Sequence, residues 1–256
     1  MKTLRQSFAW WCFANRGVPA ATLLAEAARL GYAGVDFLDE GLWPEARRVG
    51  LQMAAIAGHD TLTDGLNRSE NAVRIKAELR VNLAKAVANG IPVLVCFSGN
   101  RANLSDTAGM ETAAERLGEV AAEAERAGVT LAVELLNSRV DHPDYQGDRT
   151  AWGVALCERV GAPSVRLLYD IYHMQIMEGD VMRTIARDHR WFAHYHTAGN
   201  PGRGPLDDQQ ELNYPAIFRA IQRTGLAGFV GHEFIPRGDP VTALAAAHAL
   251  TVAACA

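Results

Sequence analysis

The chain has 256 residues, 49% of them apolar and 21% charged, and carries a net charge of −4. A chain of this size and composition buries its own core without disulfides. Its charge argues against a nucleic-acid partner, whose recognition rests on basic groups meeting phosphates. The four cysteines, Cys12, Cys96, Cys157 and Cys255, are scattered with no CxxC pair, so neither a disulfide framework nor a metal ribbon is expected.

The first residues, "MKTLRQSFAWWCFANRG", contain no sustained apolar stretch and no clear cleavage site. No run approaches the roughly 18 apolar residues that span a bilayer. A cytoplasmic protein with reduced thiols and no membrane partner is therefore expected. "LRQSFAW" reads as an opening strand. From there one junction recurs: a helical pattern, a Gly, then a short apolar run. It appears as "EAARLGYAGVDF", "EARRVGLQMAAIAG", "KAVANGIPVLVCF", "EAERAGVTLAVE", "LCERVGAPSVRLLYD" and "AIQRTGLAGFVGHE". Gly31, Gly50, Gly90, Gly128, Gly161 and Gly225 each fall where a helix ends in a left-handed cap. The runs that follow are rich in Val, Leu, Ile and Phe, as parallel strands buried on both faces are.

With "WFAHYH", eight strands result. Helices are predicted over Pro19–Leu30, Ser69–Ala88, Glu111–Arg126, Arg149–Arg159, Tyr214–Arg223 and Pro240–Val252. Asn67 and Ser69 are candidate caps for the second of these, and Pro215 and Pro240 suit first turns. Eight strands alternating with helices predict an α/β protein with a single (β/α)8 TIM barrel domain over residues 1–256. The competing fold, an open doubly wound sheet, lacks its glycine-rich turn after the first strand. Strand-to-helix segments such as "LLNSRVDHPDYQGD" and "TAGNPGRGPLDDQQELN" are long and polar, as the loops of a barrel's active face are.

The strand ends carry the chemistry. Glu134 closes "LAVE", Asp170 closes "RLLYD", His196 closes "FAHYH" and Glu233 follows "FVGH". Three carboxylates and one imidazole converging on a barrel mouth repel one another unless a cation lies between them. An oxygen-rich set with one nitrogen suits Mn²⁺ or Mg²⁺, with Co²⁺, Fe²⁺ and Zn²⁺ as alternatives. His173 either leans toward what the ion holds or caps the sixth loop. Arg203, in "GNPGRG", is a candidate clamp for substrate carboxylate or hydroxyls, or else a solvated loop arginine. His59 either touches substrate or is a hydrogen-bonded structural histidine. Cys96 reads as core, with no base beside it. Trp10 and Trp11 are candidates for an apolar pocket wall, and packing accounts for one of them. Met174 and Met177 read as packing residues.

The stretch "YDIYHMQIMEG", with "VELLN" before it and "HTAGNPGRG", "ELNYPAIF" and "GHEFIP" after it, resembles the hydroxypyruvate isomerase family. That family lies within the (β/α)8 sugar isomerases and epimerases related to tagatose and psicose 3-epimerases. The resemblance is dense over residues 130–236 and topological before that. It implies proton transfer between adjacent carbons of a hydroxy-carbonyl substrate through an enediolate. Glu134 and Glu233 are the implied acid–base pair. Glu134, Asp170, His196 and Glu233 are the implied metal ligands, and His173 and Arg203 the implied contacts to substrate oxygens. Many hydroxypyruvate isomerases carry Gln where this chain has His196, whereas His is typical of the ketose 3-epimerases, so the resemblance also implies metal dependence. The implied partner is a small carbohydrate or hydroxy-keto acid, and a homo-oligomer is implied as well. A ketose 3-epimerase and a keto-sugar lyase on the same site are the alternatives, a non-catalytic sugar-binding protein is more remote, and a multinuclear metallonuclease would need more than the eight histidines here and a basic face.

Overall fold

The computed structural model describes residues 3–256; Met1 and Lys2, the first two residues of the opening stretch quoted above, lie outside the described residues. Eight strands form one sheet: β1 Arg5–Phe8, β2 Gly34–Asp36, β3 Gln52–Ala57, β4 Val93–Cys96, β5 Thr130–Glu134, β6 Val165–Asp170, β7 Phe192–Thr197 and β8 Phe229–His232. Their order is β1-β8-β7-β6-β5-β4-β3-β2. The two strands at the ends of that order meet: Ala9 forms a parallel bridge with Asp36, and Ala33 N–H donates to the Gln6 carbonyl at 2.8 Å. The sheet thus closes on itself, which is the (β/α)8 barrel read from the sequence. The helices are α1 Trp10–Phe13, α2 Ala20–Leu30, α3 Trp43–Arg48, α4 Ala72–Asn89, α5 Asp106–Ala127, α6 Thr150–Val160, α7 Ile171–Met177, α8 Val181–Asp188, α9 Tyr214–Arg223 and α10 Pro240–Cys255. Among the described residues no helix is long and apolar enough to cross a membrane.

Two compact units are distinguishable. One comprises the residues up to Ala54, Asp180–His189 and Tyr195–Ala256. In it β1 pairs in parallel with β8, Ser7 opposite Gly231 and Phe8 opposite His232, and β8 pairs with β7, Gly231 opposite His196. Its core is aromatic: Phe13 packs edge-on against Phe8 and Phe234 with ring centroids 5.8 and 5.1 Å apart. Leu23, Leu24 and Ala27 form the buried stripe of α2. The other unit comprises Ala55–Gly179 and Arg190–His194. Here β4, β5 and β6 pair in parallel, Val95 opposite Ala132 and Val133 opposite Leu167. Every residue of β4 is buried, so its apolar run has no solvent side to alternate with.

Four of the six expected glycine caps sit at the C-cap, closing α2, α4, α5 and α6 in the left-handed conformation, with Gly31 at φ 104°; Gly50 and Gly225 are also left-handed but lie one residue past the C-caps Val49 and Thr224. Pro215 and Pro240 do sit in first turns. The caps proposed for α4 do not form. The Asn67 amide instead donates to the Asn100 carbonyl at 2.8 Å and Gln146 Oε1 at 2.7 Å, and a 3₁₀ turn over Ser69–Asn71 leads into the helix. Helix α5 starts five residues earlier than the pattern predicts, capped by the Ser105 hydroxyl. Gly109, near the start of that helix, leaves the space that the Gln146 side chain fills. No helix was predicted between β6 and β7, where α7 and α8 lie. Both are of eight residues or fewer, and Gly179 and Asp180 in left-handed conformations separate them.

Candidate active site

Glu233, His196 and Arg203 sit in the first unit, together with Trp10 and Trp11. Glu233 follows β8 directly, its N–H bonded to the Thr197 carbonyl at 2.9 Å, and the residue is buried. Three donors converge on its carboxylate. Arg203 Nη2 lies 2.7 Å from Oε2, His196 Nδ1 3.0 Å from Oε2, and Trp11 Nε1 donates to Oε1 at 2.9 Å. Burial opposes ionisation of Glu233, but the His196 imidazole and the Arg203 guanidinium outweigh it. With the hydrogen bonds from His196 and Trp11, they hold the carboxyl well below the usual carboxylate range.

Arg203 is no freely moving loop residue. Gly199 and Gly204 exchange backbone bonds of 2.7 and 3.2 Å across a tight turn, and the Arg203 carbonyl accepts from Ile235 N–H at 2.8 Å. Arg203 adopts φ 53° within that turn, and its guanidinium stands 5.2 Å from the Trp11 ring centroid. Of the two tryptophans proposed as a wall, Trp11 is 48% exposed and touches both Glu233 and Arg203. Trp10 is buried and donates to Asp39, so packing accounts for it. Beneath them His196 is fully buried, with its Nε2 3.7 Å from Asp36 Oδ2, and Asp36 accepts the Ser7 hydroxyl at 2.8 Å.

The second unit carries Glu134, Asp170, His173 and His59. Glu134 ends β5 and is buried, and its carbonyl accepts from the buried Tyr145 hydroxyl at 3.0 Å. Asp170 ends β6 and serves as N-cap of α7, its Oδ1 accepting from His173 N–H at 3.0 Å. This is the local reason a carboxylate and an imidazole lie three residues apart: the cap seats the His173 ring against Asp170, Nε2 to Oδ2 at 3.7 Å. Asn137 fixes the ring. Its Oδ1 accepts from Val140 and Asp141 N–H at 2.9 Å each, which orients the amide so that Nδ2 faces His173 Nδ1 at 2.6 Å. The His173 proton then belongs on Nε2, facing Asp170. His173 is fully buried, and its N–H is the donor that the Asp170 cap satisfies.

His59 has a structural partner, since its Nε2 accepts Phe97 N–H at 2.9 Å. Burial pushes its pKa down to about 4, so the ring is neutral with its proton on Nδ1. Cys96 is buried in β4, where burial pushes its thiol up to about 12, and Met174 and Met177 are packed inside as predicted. Asn137, Ser7 and Asp36 went unremarked in the sequence. Asp36 closes β2, "GVD", so the strand-end rule that picked out Glu134, Asp170 and His196 identifies it equally well.

The chain matches the model of the xylose isomerase-like TIM barrel family over residues 24–252, and it belongs to that family. Among curated relatives it is 40% identical over 123 residues to the 2-oxo-tetronate isomerase of Cupriavidus necator, covering 48% of this chain and 46% of that protein. It is 30% identical over 201 residues to the putative hydroxypyruvate isomerase of Xenopus laevis, covering 78% of this chain and 70% of that protein. The chain thus spans less than half the length of the first of these relatives. A solved structure, AP endonuclease family 2 from Brucella melitensis, superposes with a TM-score of 0.84 at 29% identity, covering 94% of this chain and 97% of that one. The resemblance to hydroxypyruvate isomerases seen in the sequence is thereby borne out at the level of family.

Proposed function

We propose that this protein is an isomerase that moves a proton between adjacent carbons of a small hydroxy-carbonyl compound. The substrate class is a hydroxypyruvate- or 2-oxo-tetronate-like keto acid, or a ketose. Glu134 and Glu233 are its acid–base pair, and Glu134, Asp170, His196 and Glu233 are its ligands for a divalent ion, Mn²⁺ or Mg²⁺ first among the candidates. The reading is carried by one observation: buried acid and imidazole groups close the strands of each unit, Glu134 on β5 and Asp170 on β6 in one, and in the other His196 on β7 with its Nδ1 3.0 Å from the Glu233 carboxylate that follows β8. Carboxylates buried at strand ends are costly unless a cation offsets them, so the donor types fit such an ion. The isomerase names of the relatives point the same way.

A bound divalent ion supplies Lewis-acid stabilisation of the enediolate oxygens. The chain's own groups do the rest. Glu233, kept anionic by Arg203, His196 and Trp11, is available to take the proton next to the carbonyl. Its depressed pKa makes it a weak base while Arg203 is attached. A substrate carboxylate or hydroxyl that draws the Arg203 guanidinium away raises the basicity of Glu233 as the substrate arrives. Glu134 stands as the opposing acid, returning a proton to the neighbouring carbon. His173 presents its Nε2 proton, and His59 its Nδ1 proton, as donors to substrate oxygens. The net charge of −4 and the burial of the acids disfavour a nuclease reading.

Return of the proton to the same carbon from the opposite face would make the protein a 3-epimerase instead, and the imidazole at position 196 is the feature that favours this second reading. Product analysis separates the two. Protein loaded with Mn²⁺ is incubated with hydroxypyruvate, 2-oxo-tetronate and a panel of ketoses, and products are identified by NMR. Interconversion of aldehyde and ketone isomers supports the isomerase, and inversion at one carbon supports the epimerase. Turnover that survives both Glu134→Gln and Glu233→Gln would sink either.

A further inference from the structure

We infer that a hollow at the entry to β6 binds the phosphate monoester of a small polyol, at a site separate from the candidate active site and independent of the isomerase reading. The hollow has a volume of about 510 Å³, within the range of small-molecule sites, and its lining includes Glu158, Gly161, Pro163, Arg166, Arg190 and Trp191. All six belong to the second unit. The local sequence makes it: α6 stops at Gly161, left-handed at φ 68°, and Pro163 cannot continue the helix, so the chain turns there into β6. Arg166 is the second residue of β6 and Asp170 the last. Four residues of strand separate them, about 13 Å. The hollow therefore lies at the opposite end of β6 from the carboxylate of the candidate active site.

The charges decide what it takes. Arg166 is partly buried and pinned, its Nη1 donating to the Val165 carbonyl at 2.8 Å and the Ala162 carbonyl at 3.2 Å. Its guanidinium carbon stands 5.5 Å from the centroid of the Trp191 ring, and that of Arg190 stands 5.3 Å from the same centroid. The indole Nε1 is buried with no acceptor among the described residues, so what Trp191 offers is its ring. Stacking on a ring occupies the face of a guanidinium and leaves its N–H edge for an oxyanion. Among the described residues neither arginine forms an ion pair. In a chain whose net charge is −4, two guanidiniums gathered on one ring without a carboxylate are complementary to an anion from outside. A phosphate monoester, with a charge near −2 and three terminal oxygens, meets two guanidinium forks at once, whereas a single carboxylate fills one. Glu158 lines the same hollow. Its carboxylate only accepts hydrogen bonds, so it suits a hydroxyl of the ligand and disfavours a second phosphate.

The test is a tryptophan fluorescence titration of the full-length protein at constant ionic strength, with glycerol 3-phosphate, inorganic phosphate and glycerol as probes. Trp191→Phe identifies the part of the signal that Trp191 supplies among the five tryptophans. That part is expected to change saturably with glycerol 3-phosphate, with lower affinity for inorganic phosphate, and not at all with glycerol. Arg190 is exposed, so Arg190→Ala keeps the fold; it should weaken glycerol 3-phosphate binding about 10- to 100-fold, the loss of charge-assisted bonds. Arg166→Met should weaken it as well. Glu158→Ala should erase the preference for the ester over inorganic phosphate, and a preference that survives it would overturn the polyol assignment. No saturable Trp191 response to either phosphate, or an affinity unchanged in Arg190→Ala, would overturn the site. Binding that survives Arg190→Ala and is lost in Arg203→Met would place the phosphate at the candidate active site, which overturns it equally.

Discussion

Arg203 reaches Glu233 from a left-handed turn, placing Nη2 2.7 Å from Oε2 of a buried carboxylate. A strained backbone at an arginine that is only 16% exposed in its side chain is maintained because the surrounding turn over-determines it. Under the proposed function, the pair couples substrate arrival to the basicity of Glu233. Replacing Arg203 by Met removes a charge-assisted bond worth about 1.5–3 kcal/mol, so kcat/KM should fall roughly 10- to 100-fold. The acidic limb of the pH–rate profile should move to higher pH, because Glu233 loses one of the charges that depress it. An unchanged limb would show that Arg203 does not tune Glu233.

Trp11 makes a separable contribution. Trp11→Phe keeps a ring under the guanidinium but removes the indole N–H that donates to Oε1 at 2.9 Å. The loss should appear mainly in kcat, by about tenfold, with thermal stability little changed, since the ring is half exposed. Steady-state kinetics and a melting curve check both parts.

Asp170 has two duties that substitution can divide. Asp170→Ala loses the cap on α7 and should cost about 1 kcal/mol of stability as well as metal binding. Asp170→Ser retains a capping oxygen, so stability should recover to within a few tenths of a kcal/mol while metal binding and turnover remain lost. Recovery of activity in Asp170→Ser would remove Asp170 from the ligand set.

Much of this architecture was legible in the sequence because each barrel unit repeats the same two local signals. A Gly with positive φ ends the helix, and a buried run with no polar alternation follows it. The four strand-end groups stood out because a charged or imidazole side chain closing such a run has no packing reason to be there. What escaped notice did so for physical reasons. Asn67 looked like a cap but is drawn away by Gln146, a partner 79 residues distant. Gly231 looks like any strand glycine until register sets it between Ser7 and His196. Helix α7, at seven residues, is too short to show a period.

Acid stability follows from two buried histidines. Burial pushes His59 down to about 4 and His232 down to about 3, from an ordinary value of 6.5. Both are neutral when folded, and the unfolded chain takes up protons on them below pH 6.5, so it binds more protons than the native state in that range. Their contribution is complete above pH 6.5 and declines as pH falls, down to about 4 for His59 and about 3 for His232. Each group adds a slope of up to about 1.4 kcal/mol per pH unit. Urea midpoints measured at pH 7 and pH 5 should drop accordingly, and His59→Gln should show a shallower drop.

The most direct test of the central claim is solvent exchange into substrate. Protein reloaded with Mn²⁺ is held in heavy water with hydroxypyruvate, 2-oxo-tetronate and ketoses, and proton NMR follows the carbons beside the carbonyl. The account predicts deuterium at one such carbon of at least one compound, slowed about 10²- to 10⁴-fold in Glu233→Gln and in Glu134→Gln and abolished when the metal is stripped. Exchange that proceeds at the original rate in both variants, or in the stripped protein, would contradict it.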